Sequence, residues 1–298
     1  MVSSNPLGAD QQVLVDGSGS QPLPFPWSAP SWSADGARVA FVGVSGGRRR
    51  ARQQDIYVAA ADGSGASKVL GTRGGFYPVL SSDGRFLAFA REATAFQGVS
   101  VWLLELDAGT VRQLTPPRIN FFEYPSSFDP DGSTLAITRT LHRDNRPDLH
   151  FAVSLRLDGS GSAVLAQRAG EPVYSPDGTK LAFISTGKTR TIENRGVKTT
   201  FTEADLAVAN ADGSGLTKLT HTGALEVQPS WDPSGQRLAY AQLRADGEES
   251  SFLGFGDSIM EINADGTCRT RVLTYPKASL FGIAWQPGPG REAGPVRC

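Results

Sequence analysis

Short apolar runs, none longer than five or six residues, alternate along the chain with clusters of Asp, Gly, Ser and Pro. Runs of that length bounded by such clusters read as β-strands joined by tight hairpins, since Gly supplies the positive φ that hairpin turns demand. The pattern repeats. Pro30-Ser-Trp-Ser-Ala-Asp-Gly-Ala-Arg-Val-Ala-Phe41 returns as Pro78-Val-Leu-Ser-Ser-Asp-Gly-Arg-Phe-Leu-Ala-Phe89 and as Ser126-Ser-Phe-Asp-Pro-Asp-Gly-Ser-Thr-Leu-Ala-Ile137. It returns again as Pro172-Val-Tyr-Ser-Pro-Asp-Gly-Thr-Lys-Leu-Ala-Phe183 and Pro229-Ser-Trp-Asp-Pro-Ser-Gly-Gln-Arg-Leu-Ala-Tyr240, with a degenerate copy at Ile283-Ala-Trp-Gln-Pro287. The anchors Trp32, Leu80, Phe128, Tyr174, Trp231 and Trp285 are spaced by 48, 48, 46, 57 and 54 residues.

A second segment follows in each of five units: Asp55-Ile-Tyr-Val to Asp62-Gly-Ser-Gly65, Val101-Trp to Asp107-Ala-Gly109, Asp148-Leu-His-Phe151 to Asp158-Gly159, Asp205-Leu-Ala-Val to Asp212-Gly-Ser-Gly215, and Ser258-Ile259 to Asp265-Gly266. Each unit therefore reads as four short antiparallel strands: one ending at the anchor, one carrying Val/Leu-Ala-aromatic, a third after a variable loop, and a fourth ending near Leu-Thr. Six such units predict an all-β, six-bladed β-propeller, in which radial packing leaves only short strand edges. One domain spans 1–298: an N-terminal segment and closing strand (1–29), the repeats (30–288) and a tail (289–298). Only 13 residues follow Trp285. The last blade is therefore expected to be sealed by both chain ends, with Gln12-Val-Leu-Val15 as its outer strand, and to lack strands that an upstream segment would supply.

Composition narrows the function classes. Twenty-nine Lys and Arg against 30 Asp and Glu give a net charge of -1, which offers no basic surface for nucleic acid. No apolar run approaches the ~20 residues of a membrane-spanning helix, so no membrane insertion is expected. Arg48, Arg49, Arg50 and Arg52 form the one dense charge run, read as a solvated loop.

The repeat resembles that of the TolB-type, WD40-like β-propeller family: Pro-x-Trp-Ser-Pro-Asp-Gly, then Ile-Ala-Phe, Ile-Tyr-Val, an Asp-Gly-Ser-Gly turn and Leu-Thr. The resemblance covers about residues 30–288. It implies a scaffold of the bacterial cell envelope that binds partner proteins, and a periplasmic or otherwise extracytoplasmic home with an export signal outside this chain. The family's full-length envelope protein also carries a separate N-terminal α/β domain that this chain lacks.

Strand alternation puts both Asp-Gly turns of a unit on one face and all variable connections on the other. The second face is the expected binding surface, because loops tolerate variation that packed strands do not. Around its channel mouth fall Arg73, Phe76, Tyr77, Arg118, Phe122, Glu123, Arg168, Glu171 and Glu226, suited to gripping a protein or peptide. Thr186 to Ala204 reads as one of the variable loops.

Catalytic signatures are weak. Gly43-Val-Ser-Gly-Gly47 matches G-x-S-x-G but opens no helix. Gly187-Lys-Thr189 has Ala182 where a phosphate loop needs Gly, and Asp129-Pro-Asp-Gly132 lacks the remaining ligands of a calcium loop. His150 takes the strand position of Tyr57 and Trp102, while His142 and His221 fall in different units, so no metal set or cofactor is expected. The favoured reading is a monomeric, non-enzymatic binding propeller. The competing reading is an enzyme, either a propeller with a channel metal or the propeller part of a larger peptidase.

Topology puts Cys268 on the tight-turn face of the fifth unit, with Cys298 thirty residues on. A Cys268–Cys298 disulfide is expected, which would persist only in an oxidising compartment; two unrelated thiols are the alternative.

Overall fold

The computed structural model describes residues 2–3, 12–13, 23–24, 29–45, 53–92, 98–194, 197–243, 258–274 and 284–285, and its regular structure is entirely β. Two short strands, β1 (Val2–Ser3) and β2 (Gln12–Val13), pair with each other. In the first unit, β3 (Leu23–Pro24) and β4 (Ser31–Trp32) lie end to end along β5 (Arg38–Ser45), which continues to β6 (Gln53–Ala60) and β7 (Ser67–Lys68). The second comprises β8 (Gly75–Leu80), β9 (Phe86–Glu92), β10 (Gly98–Glu105) and β11 (Thr110–Gln113). The third comprises β12 (Phe121–Phe128), β13 (Thr134–Leu141), β14 (Leu149–Arg156) and β15 (Ser162–Gln167). The fourth is β16 (Ala169–Tyr174), β17 (Lys180–Asn194), β18 (Val197–Asn210) and β19 (Thr217–Lys218), and the fifth β20 (Leu225–Trp231), β21 (Arg237–Leu243), β22 (Ser258–Asn263) and β23 (Thr270–Thr274). Within each unit neighbouring strands run antiparallel, and short parallel ladders join β10 to β12 and β18 to β20.

The Leu-Ala-aromatic motif has a packing reason. Side chains alternate across a strand, so Leu and the aromatic share one face and Ala takes the other. Leu87 and Phe89 pack back onto Ala40, Val42 and Ile56 of the first unit, whereas Ala88 packs forward with Phe128, Leu135 and Ile137 of the third. Leu181 and Phe183 likewise face Ala152 and Ala166, and Ala182 meets Trp231, Leu238 and Tyr240. Large side chains from one unit thus fill the space that Ala leaves in its neighbour, which brings sheets to native packing density.

Two backbone devices recur. In every one of the five units a 2.8–3.0 Å bond ties the second turn to the first: Ala61 N–H to Ala37 O, Leu106 to Arg85, Leu157 to Ser133, Ala211 to Thr179, and Ala264 to Gln236. Both turns of a unit therefore share one face, as strand alternation requires. The Thr that ends three units is buried and accepts an N–H from within the third strand: Ile56 to Thr72 Oγ1, Val101 to Thr115 and Leu206 to Thr220.

Residues 186–194 and 197–204 are strand rather than loop. β17 and β18 run on as a long hairpin, in register from Thr189↔Thr202 to Asn194↔Val197, after a bulge between Thr186 and Thr189. Eight of the nineteen positions from 186 to 204 are Thr, Ile or Val, and such residues favour extended backbone. The expected closing strand at Gln12–Val15 is also different: Gln12 and Val13 pair with Ser3 and Val2. The Arg48–Arg52 run and Cys298 lie outside the described residues.

Candidate binding channel

The first strands of three units carry the feature that shapes the site. Register skips in β8 between Phe76 and Val79, in β16 between Gly170 and Val173, and in β20 between Val227 and Ser230. These bulges hold Tyr77, Glu171 and Gln228 at φ of 52, 54 and 58°. Each precedes a proline, Pro78, Pro172 or Pro229. Left-handed backbone is uncommon for residues other than Gly, and its recurrence at one repeat position marks a constraint imposed by the surroundings. All three residues line one central cavity of about 1200 Å³.

That cavity runs from the base of the β17–β18 hairpin, at Thr186 and Thr202, to the tight turns, at Asp35 and Ser82. Its wall includes all six anchors, Trp32, Leu80, Phe128, Tyr174, Trp231 and Trp285. Successive first strands are stitched around it: Ser31 Oγ accepts the Leu80 N–H at 3.0 Å, Ser127 that of Tyr174 at 3.0 Å, and Ser230 that of Trp285 at 3.1 Å.

An aromatic cluster stands on one side. Tyr77 and Tyr124 meet edge to face at 5.3 Å between centroids, with Phe76 at 5.7 and 6.1 Å from them. Burial raises both phenols, aided at Tyr77 by the Glu171 carboxylate; Tyr124, with Tyr77 and Glu92 nearby, is pushed up to about 12. Glu171 accepts the Gln228 N–H through a short bond. Burial raises the Glu171 carboxyl above its ordinary value in spite of that bond.

Of the residues expected at the channel mouth, Tyr77, Glu171 and Glu226 come together on this cavity, but Glu226 is a fully buried structural group. It accepts from Thr222 Oγ1 at 2.9 Å, Leu206 N at 2.9 Å, Gln242 Nε2 at 3.3 Å and, closely, Thr220 Oγ1. Glu123 is 2% exposed and paired with Arg139 rather than displayed. Arg73 and Phe76 line a separate depression of about 650 Å³ with Gln54, Arg91 and Glu92. Arg118 lies over Phe121 at 5.6 Å, Phe122 meets His142 edge-on at 6.5 Å, and Arg168, at φ 55°, donates to Gly187 O at 3.0 Å. Buried carboxylates look identical to exposed ones in a sequence, which is why Glu123 and Glu226 misled. Tyr124 and Gln228 line the cavity without having been singled out, and so does His150, which was read as a packing residue only. The recurring residue-before-Pro at Tyr77, Glu171 and Gln228 was the available signal, because three bulges share that register.

His150 packs in the strand as expected, with Nδ1 3.0 Å from Thr140 Oγ1, and burial lowers its pKa. Among the described residues no group of three or more His, Cys, Asp or Glu gathers as a metal set. No described helix is long and apolar enough to cross a membrane.

No protein-family model matches the chain. A Tol-Pal system protein TolB from Anaeromyxobacter dehalogenans strain 2CP-C is 31% identical over 146 residues, covering 47% of this chain and 29% of that protein; its counterpart from Anaeromyxobacter sp. strain K is 30% identical. The chain thus matches less than a third of the length of these curated relatives. Among solved structures, putative TolB from Agrobacterium tumefaciens superposes with a TM-score of 0.66 at 21% identity, over 93% of this chain and 90% of that one. TolB from Acinetobacter baumannii gives 0.65 at 18% identity, over 94% and 60%. An oligogalacturonate lyase in complex with manganese gives 0.55 at 16%, over 86% and 67%. Repeat motif, local identity and superposition agree that the chain folds as a β-propeller of the TolB type.

Proposed function

We propose that the chain is a six-bladed, monomeric, non-catalytic propeller that acts outside the cytoplasm, in the manner of a Tol-Pal component, and holds a segment of a partner protein in its central channel. The observation that carries this reading is the cavity itself. At about 1200 Å³ it exceeds the usual ~300–1,000 Å³ of small-molecule pockets, and its aromatic wall is shaped by three strained bulges. Six anchors around one cavity support the blade count. The variable face supplies the entrance, beside the hairpin base.

An oxidising compartment is supported by Cys268, which carries no free thiol; we assign its partner as Cys298. Calorimetric titration with the Pal protein of the same organism tests the reading. Binding that weakens about tenfold or more in a Tyr77→Ala/Tyr124→Ala variant is expected. Absence of heat would refute the Tol-Pal role, and turnover of oligogalacturonate by the purified chain would refute the non-catalytic one.

A further inference from the structure

We infer that the channel selects a positively charged ligand, and specifically a peptide segment that inserts a Lys or Arg side chain among the aromatic residues. This rests on the channel-binding reading and adds the chemistry of the occupant. Among the described residues, no Lys or Arg lines the cavity. Its ionisable side chains among the described residues are Asp35, Asp129, Glu171 and Glu226, with His150 as the sole basic one and three tyrosines, Tyr77, Tyr124 and Tyr174, above their ordinary range. The chain as a whole is balanced, with 29 cationic and 30 acidic residues, so the asymmetry belongs to the cavity rather than to the composition.

Glu226 is saturated by its own hydrogen bonds, which leaves Glu171 in the channel and Asp35 and Asp129 towards the tight turns. Among the described residues, Glu171 accepts the Gln228 N–H through one carboxylate oxygen. No cation among the described residues offsets its burial, and a ligand ammonium or guanidinium would do so, in surroundings where screening by water is weak. The walls suit the rest of such a side chain: Tyr77 and Tyr124 line the cavity with aromatic rings that can meet a cation and give apolar area to its methylene stem. An acidic segment would place like charges together in the same confined space.

A displayed library of random short peptides, selected on the immobilised full chain, provides the probe. Recovered peptides are titrated by tryptophan fluorescence, since Trp32, Trp231 and Trp285 line the cavity. The expected pool is enriched in Lys or Arg at one position. Replacing that residue by Glu should weaken binding about tenfold or more, and Glu171→Gln should erase most of that difference while Glu171→Asp keeps part of it. Peptides that lose affinity in Tyr124→Ala, and so occupy the channel, but show no cationic preference or an acidic one, would overturn the selectivity and leave channel binding standing. Failure to recover any peptide sensitive to Tyr124→Ala would overturn both.

Discussion

Tyr77, Glu171 and Gln228 pay a conformational cost that the fold imposes, and two consequences can be measured at this scale. A β-branched residue in left-handed backbone is worse than Gln, whereas Gly is at ease there. Gln228→Val should lower unfolding stability by about 1–2 kcal/mol and Gln228→Gly by clearly less, as read from denaturant midpoints; equal losses would show that side-chain contacts rather than φ dominate. The second consequence concerns the turn aspartates. Hydroxyl donors Ser33, Ser64, Ser81, Ser133, Ser160, Ser175, Ser214 and Thr267, with backbone N–H groups, hold Asp35, Asp62, Asp83, Asp131, Asp158, Asp177, Asp212 and Asp265 below the ordinary 3.8. A carboxyl lowered on folding contributes stability above its unfolded value that is lost as pH falls through the folded one. Stability should therefore decline as pH drops below 3.8. Burial raises Glu171, Glu261 and Asp129, which act in the opposite sense and lose stability as pH rises. Melting temperatures taken between pH 5 and pH 2, a range set by these values, should fall monotonically; a rise would mean that the buried carboxyls dominate.

At the scale of the strand, the terminal Thr of a unit is testable in isolation. Thr115 is 2% exposed and its hydroxyl accepts the Val101 N–H at 2.9 Å. Val has nearly the same shape without the acceptor, so Thr115→Val leaves that donor buried and unpaired. Thermal unfolding should report a loss of about 1–3 kcal/mol, and an unchanged midpoint would remove this bond from the account. These elements also show how far a sequence can be read. Asp-Gly turns, Leu-Ala-aromatic strands and Leu-Thr endings are local rules, so the repeat revealed the units and their shared turn face before any coordinates. The β17–β18 hairpin escaped because it interrupts the repeat, although its Thr, Ile and Val residues favour strand. The channel residues were only partly legible. Tyr77 and Glu171 were reached by counting loops onto a face, while Tyr124 and Gln228 depend on bulges that re-aim a strand, and Glu226 turned inward to satisfy Thr220, Thr222 and Gln242.

For the whole molecule, in the closed ring proposed above, the governing question is what holds the first unit against the last. In a ring of radial sheets every unit gains its core from two neighbours, so the junction made by the chain ends is the one that covalent continuity does not secure. Trp285 reaches the fifth unit through Ser230, and Val39 and Phe41 of the first unit are buried. A Cys268–Cys298 bond would tether the terminus beside that junction, closing a loop of thirty residues. Restricting the unfolded chain in this way contributes on the order of 3 kcal/mol, or roughly 5–10 °C in melting temperature for a domain of this size. Reduced protein should melt lower by that amount, and Cys268→Ser/Cys298→Ser should match it while showing no response to reductant. Mass spectrometry of unreduced peptides should find the two cysteines in one species. If reduction leaves the melting temperature unchanged, the junction is held by strand pairing and side-chain packing alone, and the compartment must be argued from other grounds.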